Sequence, residues 1–192
     1  MQINVLEYFE QGALKHCPSK VAIIGSDKTY TFRELETYAK KFAALILQRK
    51  DIINQPIAVF LPKNANTIIA DLGILYSGNF YNNLDVKSPS QRLKNIIDNI
   101  NPAFIITTSQ LLEALKKIGF EGDRIILIDE LYEVEIPYNN EMILKRLDSV
   151  IDTDPVCLIN TSGSTGIPKG VVMHHRSVID FIDWVNNELG WN

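Results

Sequence analysis

Apolar positions along this chain alternate between two spacings, and the alternation predicts its architecture. Leu6, Phe9, Ala13 and Leu14 fall on one helical face between Val5 and His16. Val21–Ile24 and Thr29–Phe32 are short β-prone runs around Gly25–Lys28, the pattern of a hairpin. Leu35, Ala39, Phe42 and Ile46 recur at helical spacing from Phe32 or Arg33 to about Arg49. Beyond them, continuous apolar runs at 57–61, 104–106, 125–128 and 156–159 read as buried strands. Helical stretches are expected at Asn66–Tyr76, Ser88–Ile100 with Pro89 in its first turn, and Leu111–Ile118. Phe80-Tyr81 begins a short extended piece, and the polar stretch Asp129–Tyr138 is expected to be a surface loop.

Strands alternating with helices predict an α/β fold, a layered and largely parallel sheet with helices on both faces. No internal repeat or dividing linker interrupts it.

Composition narrows the classes. Of the 192 residues, 46% are hydrophobic and 22% charged, a globular balance with length enough for a sizeable core. A net charge of -4 disfavours nucleic acid or an anionic membrane as partner. No apolar run approaches a membrane span, and the N-terminus has no secretory pattern. Cys17 and Cys157 form neither a metal pattern nor a disulfide framework, so a cytoplasmic setting is expected. Asn160-Thr161-Ser162 matches a glycosylation sequon by chance in that setting.

The densest chemistry lies in Thr161-Ser162-Gly163-Ser164-Thr165-Gly166-Ile167-Pro168-Lys169-Gly170. Glycines let backbone N–H groups converge on one point. The hydroxyls of Thr161, Ser162, Ser164 and Thr165 can donate to phosphate oxygens, and Lys169 adds a compact positive charge. The segment does not match G-x-x-x-x-G-K-[ST], because Pro168 precedes Lys169 and Gly170 follows it. Val171-Val172-Met173 reads as a strand, so no helix N-terminus is expected to help hold an anion here. The competing reading of the same residues is a Ser/Gly linker.

This loop resembles the phosphate-loop signature of the adenylate-forming superfamily, which includes nonribosomal peptide synthetase adenylation domains, acyl-CoA synthetases and luciferases. Tyr30–Leu35, Leu75–Asp85 and Ser88–Arg92 resemble further motifs in the order that family has them, and His175 falls where it places a histidine. Asn82-Asn83 departs from the pair usual in amino-acid-activating members, whereas Ser164 leans toward that branch. Residues 1–192 then correspond to the N-terminal portion of an adenylation domain, with its C-terminal remainder absent.

The resemblance implies a ligase that turns a carboxylic acid, an amino acid by preference, into an acyl-adenylate with ATP and Mg²⁺. A phosphopantetheine carrier or coenzyme A would then take the acyl group. Thr161, Ser162, Gly163, Ser164, Thr165, Gly166 and Lys169 would hold the nucleotide, Lys169 and Thr165 acting on the reacting phosphates, with His175 near the acyl pocket. A carboxylate is already ionised at neutral pH, so no base is required and no triad is expected. Adjacent His174 and His175 would point to opposite faces of a strand, which argues against a metal pair. Arg33, Glu34 and Arg92 read as surface ion pairs. After Gly170 one strand and one helix are expected, with Val178, Phe181, Ile182, Val185 and Leu189 as its apolar stripe. The chain alone is expected to be inactive. Alternatives are a noncatalytic nucleotide- or phosphate-binding module, a self-associating fragment, or a piece of an acyl-CoA synthetase.

Overall fold

The computed structural model describes residues 2–25, 28–161 and 169–190. Ser162 to Pro168, the interior of the candidate phosphate loop, and Trp191 lie outside them.

The chain opens with one α-helical turn, α1 (Leu6–Tyr8), that continues as a π-helix over Phe9–Leu14. The predicted hairpin forms from β1 (Val21–Ile24) and β2 (Thr29–Thr31), which pair antiparallel. Helix α2 (Phe32–Arg49) starts at Thr31, whose side chain accepts from the Glu34 N–H while the Glu34 carboxylate accepts from the Thr31 N–H. Glu34 is therefore a helix cap and not the surface ion pair expected of it.

Six strands form the main sheet: β3 (Pro56–Val59), β4 (Phe80–Asn83), β5 (Phe104–Thr107), β6 (Ile125–Leu127), β7 (Pro155–Thr161) and β8 (Lys169–His174). Their spatial order is β6-β5-β3-β4-β7-β8, and every neighbouring pair is parallel except β7–β8. The connecting helices are α3 (Ala65–Tyr76), α4 (Ser90–Ile100), α5 (Leu112–Lys117), α6 (Glu130–Glu133) and α7 (Asn140–Leu147).

Right-handed crossovers account for the layers. From β3 to β4 the chain moves one way along the sheet, and from β4 through β5 to β6 the other way. Helices between strands must therefore change face. Ile57 and Val59 of β3 pack with α2, α3 and Leu131 of α6, whereas Ala58 and the following Phe60 pack with Leu93, Ile96 and Ile97 of α4 and Leu115 of α5. Both faces are covered, as expected, and this is why β3 and β5 read as unbroken apolar runs. A third cluster joins Leu6, Ala39, Ala43, Tyr76, Ile143 of α7 and Val156 of β7.

Two expectations fail. The Asp129–Tyr138 stretch is no free surface loop: Leu131 and Ile136 are buried in the main core. The final helix, α8 (His175–Leu189), does not bury its whole predicted stripe. Ile179 is its buried apolar residue, while Phe181 and Leu189 stand 61% and 57% exposed. Among the described residues no helix is long and apolar enough to cross a membrane.

Candidate functional site

In open parallel sheets, ligands gather outside the carboxyl ends of the strands, because backbone groups and loops converge there. Thr161, the last residue of β7, lies at that edge. Strand β8 returns from it as an antiparallel partner, in register from Thr161 opposite Lys169 to Pro155 opposite His174. The two strands expected to flank the segment are present, and the chain from Lys169 begins no helix until His175.

The two ends of the loop are tied together. The Thr161 hydroxyl donates to the Lys169 carbonyl at 3.2 Å, so it helps close the hairpin. Both Thr161 and Lys169 are exposed. Gly170 has a steric role: a Cβ there would meet Leu158 Cδ2 at 3.0 Å. Ser162, Gly163, Ser164, Thr165 and Gly166 lie outside the described residues.

Strand β7 is buried only where it leaves the core. Val156 is buried, but Ile159, Val171 and Val172 are 50%, 46% and 40% exposed, so the strands flanking the loop are less enclosed than their apolar sequence suggests. Backbone pairing with β4 is confined to Tyr81 opposite Cys157. Next to it, Asn82 is fully buried. Its Nδ2 donates to the Leu158 carbonyl at 2.6 Å, and its Oδ1 accepts from Asn160 Nδ2 at 3.1 Å. A cavity of about 230 Å³ opens where β4 and β7 end, lined by Tyr81, Asp85, Ser88, Arg92, Cys157 and Asn160 among others. Arg92 makes no ion pair among the described residues, contrary to expectation.

His175 is not brought to the loop. It starts α8, beyond the far end of β8, about 20 Å from Lys169 at the rise of an extended strand. It is buried, and its Nδ1 accepts from the Val5 N–H at 3.1 Å. Burial lowers its pKa to about 4 against the opposing pull of Asp154 and Asp152, so the imidazole is neutral at pH 7 with its proton on Nε2. His174, exposed at the end of β8, and buried His175 straddle a strand–helix boundary.

Sequence reasoning also missed Asp71 on α3. Its Oδ2 accepts from Asn83 Nδ2 at 2.9 Å, while its Oδ1 is buried with no hydrogen-bond partner among the described residues. Burial raises its pKa to about 7, opposed by the Asn83 bond. An acidic residue inside the apolar run of α3, followed by two asparagines at the end of β4, was the available signal. Among the described residues, no three His, Cys, Asp or Glu side chains converge to hold a metal ion.

Comparison with known proteins gives a consistent answer. Vanchrobactin synthetase VabF of Vibrio anguillarum is 30% identical over 175 residues, covering 91% of this chain and 6% of that protein. The structure of VinN in complex with 3-methylaspartate superposes with a TM-score of 0.80 at 21% identity, covering 100% of this chain and 54% of that one. The nonribosomal peptide synthetase FmoA3 in its AMPPNP-bound form gives 0.78 at 22% identity, covering 98% and 19%. The chain thus spans a small share of the length of its curated relatives and about half of VinN. A family model described as AMP-binding enzyme matches residues 9–191. This chain belongs to the AMP-binding, adenylate-forming enzyme family.

Proposed function

We propose that residues 1–192 form the N-terminal portion of an adenylation domain and supply its grip on the triphosphate of ATP. The observation that carries this reading is the β7–β8 pairing, which brings Thr161 and an exposed Lys169, the two ends of a glycine- and hydroxyl-rich sequence, together at the carboxyl edge of the sheet. In the reaction, a carboxylate attacks the α-phosphorus, an acyl-adenylate forms and pyrophosphate leaves. Because the nucleophile is already charged, the step needs alignment and charge relief, not a base. Lys169 and Thr165 neutralise and orient the β- and γ-phosphates, while the backbone N–H groups of Ser162–Gly166 and the neighbouring hydroxyls complete the cradle.

An amino acid is the favoured substrate, passed on to a phosphopantetheine carrier. Ser164 leans that way, and relatives such as VabF and gramicidin S synthase 2 of Brevibacillus brevis are peptide synthetases. Transfer to coenzyme A is the second reading, favoured by a TM-score of 0.79 to o-succinylbenzoate CoA synthetase from Bacillus subtilis.

Calorimetric titration with pyrophosphate and with ATP tests the grip. Saturable binding is expected, weakened about tenfold or more by Lys169→Ala, the scale of one charge-assisted hydrogen bond. Equal binding by wild type and variant would refute it. ATP–pyrophosphate exchange by this chain alone is expected at background.

A further inference from the structure

We propose that Asn82 is a positioning residue for the phosphate loop, acting as a side-chain rung between β4 and the last residues of β7. This rests on the loop's proposed role in holding phosphate.

A fully buried primary amide in a central parallel strand is unfavourable unless its donors and acceptor are used. Asn82 lies beside Ala58 of β3 in register, and both are fully buried. On its other side the backbone ladder stops: β3 and β4 share four register pairs, but β4 and β7 share one. No register pair with β4 is found from Leu158 onward. The Asn82 side chain takes that place.

Its orientation is forced. The Leu158 carbonyl can only accept, so Asn82 must face it with Nδ2. That turns Oδ1 toward Asn160, which must then present its own Nδ2. The relay ends one residue before Thr161, where the loop leaves the strand. On the outer side, Asn160 is opposite Gly170 and Thr161 opposite Lys169 in the β7–β8 register. The segment 158–160 is therefore held on its inner side by Asn82 and on its outer side by β8. Without the inner hold, the hairpin would hang from its outer strand, and Thr161 and Lys169 would swing together relative to the sheet. The rung fixes the loop's direction and touches no ligand itself.

The test compares wild type, Lys169→Ala, Asn82→Leu and Asn160→Ser. Each is titrated with pyrophosphate well below its melting temperature, and amide hydrogen exchange is followed by peptide. Asn82→Leu keeps the branched shape and heavy-atom count of the side chain and removes both hydrogen bonds. It is expected to weaken pyrophosphate binding about fivefold to tenfold. Exchange should quicken in peptides covering 157–161, while those covering β3 and β5 stay protected. Asn160→Ser removes one bond at a half-exposed position, should weaken binding by about half as much on a logarithmic scale, and remains informative if Asn82→Leu fails to fold. A purely structural role would lower the melting temperature and leave the affinity of the folded protein unchanged, which would overturn the proposal. Should the wild type bind no pyrophosphate, the loop's function falls, and unaltered exchange at 157–161 in either asparagine variant would overturn the rung independently.

Discussion

Replacing Asp71 by Asn should make the protein more stable, and by more as the pH rises. Asp71 sits on α3 with Oδ1 buried and unpartnered among the described residues, and its pKa is raised from 3.8 to about 7 by burial, opposed by the Asn83 hydrogen bond. Because the folded-state pKa lies above the unfolded one, the native state binds the extra proton between the two values. Stability from this group is therefore greatest below about pH 4 and declines as pH rises through 7. At about 1.4 kcal/mol for each tenfold change in acidity, the interval corresponds to roughly 4 kcal/mol. An asparagine fills the same space, still accepts from Asn83 and has no proton to lose. Urea unfolding of both proteins from pH 4.5 to 8.5 measures the difference directly, and other titrating groups common to both cancel. The stability of Asp71→Asn relative to wild type should climb by about 3 kcal/mol over that range and level off above pH 8. A difference that is flat, or that shrinks with rising pH, would refute the assignment of a buried, reluctantly ionised carboxylate.

His175 should act in the opposite sense. Its pKa is depressed from 6.5 to about 4, so the stability it confers is full above pH 6.5 and lost as pH falls toward 4, up to about 3 kcal/mol. In an Asp71→Asn background, His175→Asn should flatten the acid limb of stability between those values, and an unchanged limb would count against it. Gly73→Ala should destabilise by about 1–3 kcal/mol through overpacking of α2 against α3. A Cβ at that site would stand 2.8 Å from the Ala39 carbonyl oxygen and 2.9 Å from Phe42. Thermal melts read the effect, and an unchanged melting temperature would mean that the two helices separate freely.

Much of the fold is legible in the sequence because both faces of the inner strands are covered. Ile57–Leu61 and Phe104–Ile106 are apolar at every position, and such runs stand out from the helices around them. Helix α7 was harder to see, since Ile143 is its one buried residue and the periodic signal is correspondingly thin. Leu131 and Ile136 are hidden in the sequence by their acidic neighbours, though their burial in the core, with Tyr138 packed against it, pins the segment down. Strand β4 looked short because it ends in two asparagines. It continues through Asn83 because the amides there find partners on β7 and α3, contacts distant in sequence and invisible to local pattern. The stripe of α8 misled for a related reason: amphipathic spacing marks a face that can be buried, whereas the described residues bury Ile179, cover Val178, Ile182 and Val185 in part, and leave Phe181 and Leu189 exposed. The loop's candidate residues stand out in composition and spacing, while the asparagine contacts at the end of β7 do not.

The most direct test of the central claim is a two-dimensional amide NMR titration of the isotopically labelled protein with pyrophosphate. Shifts confined to residues 160–170, with Gly163, Gly166 and Lys169 among the largest, are the expected result. Shifts absent from that segment, or centred on another part of the surface, would contradict the assignment of this hairpin as the phosphate grip.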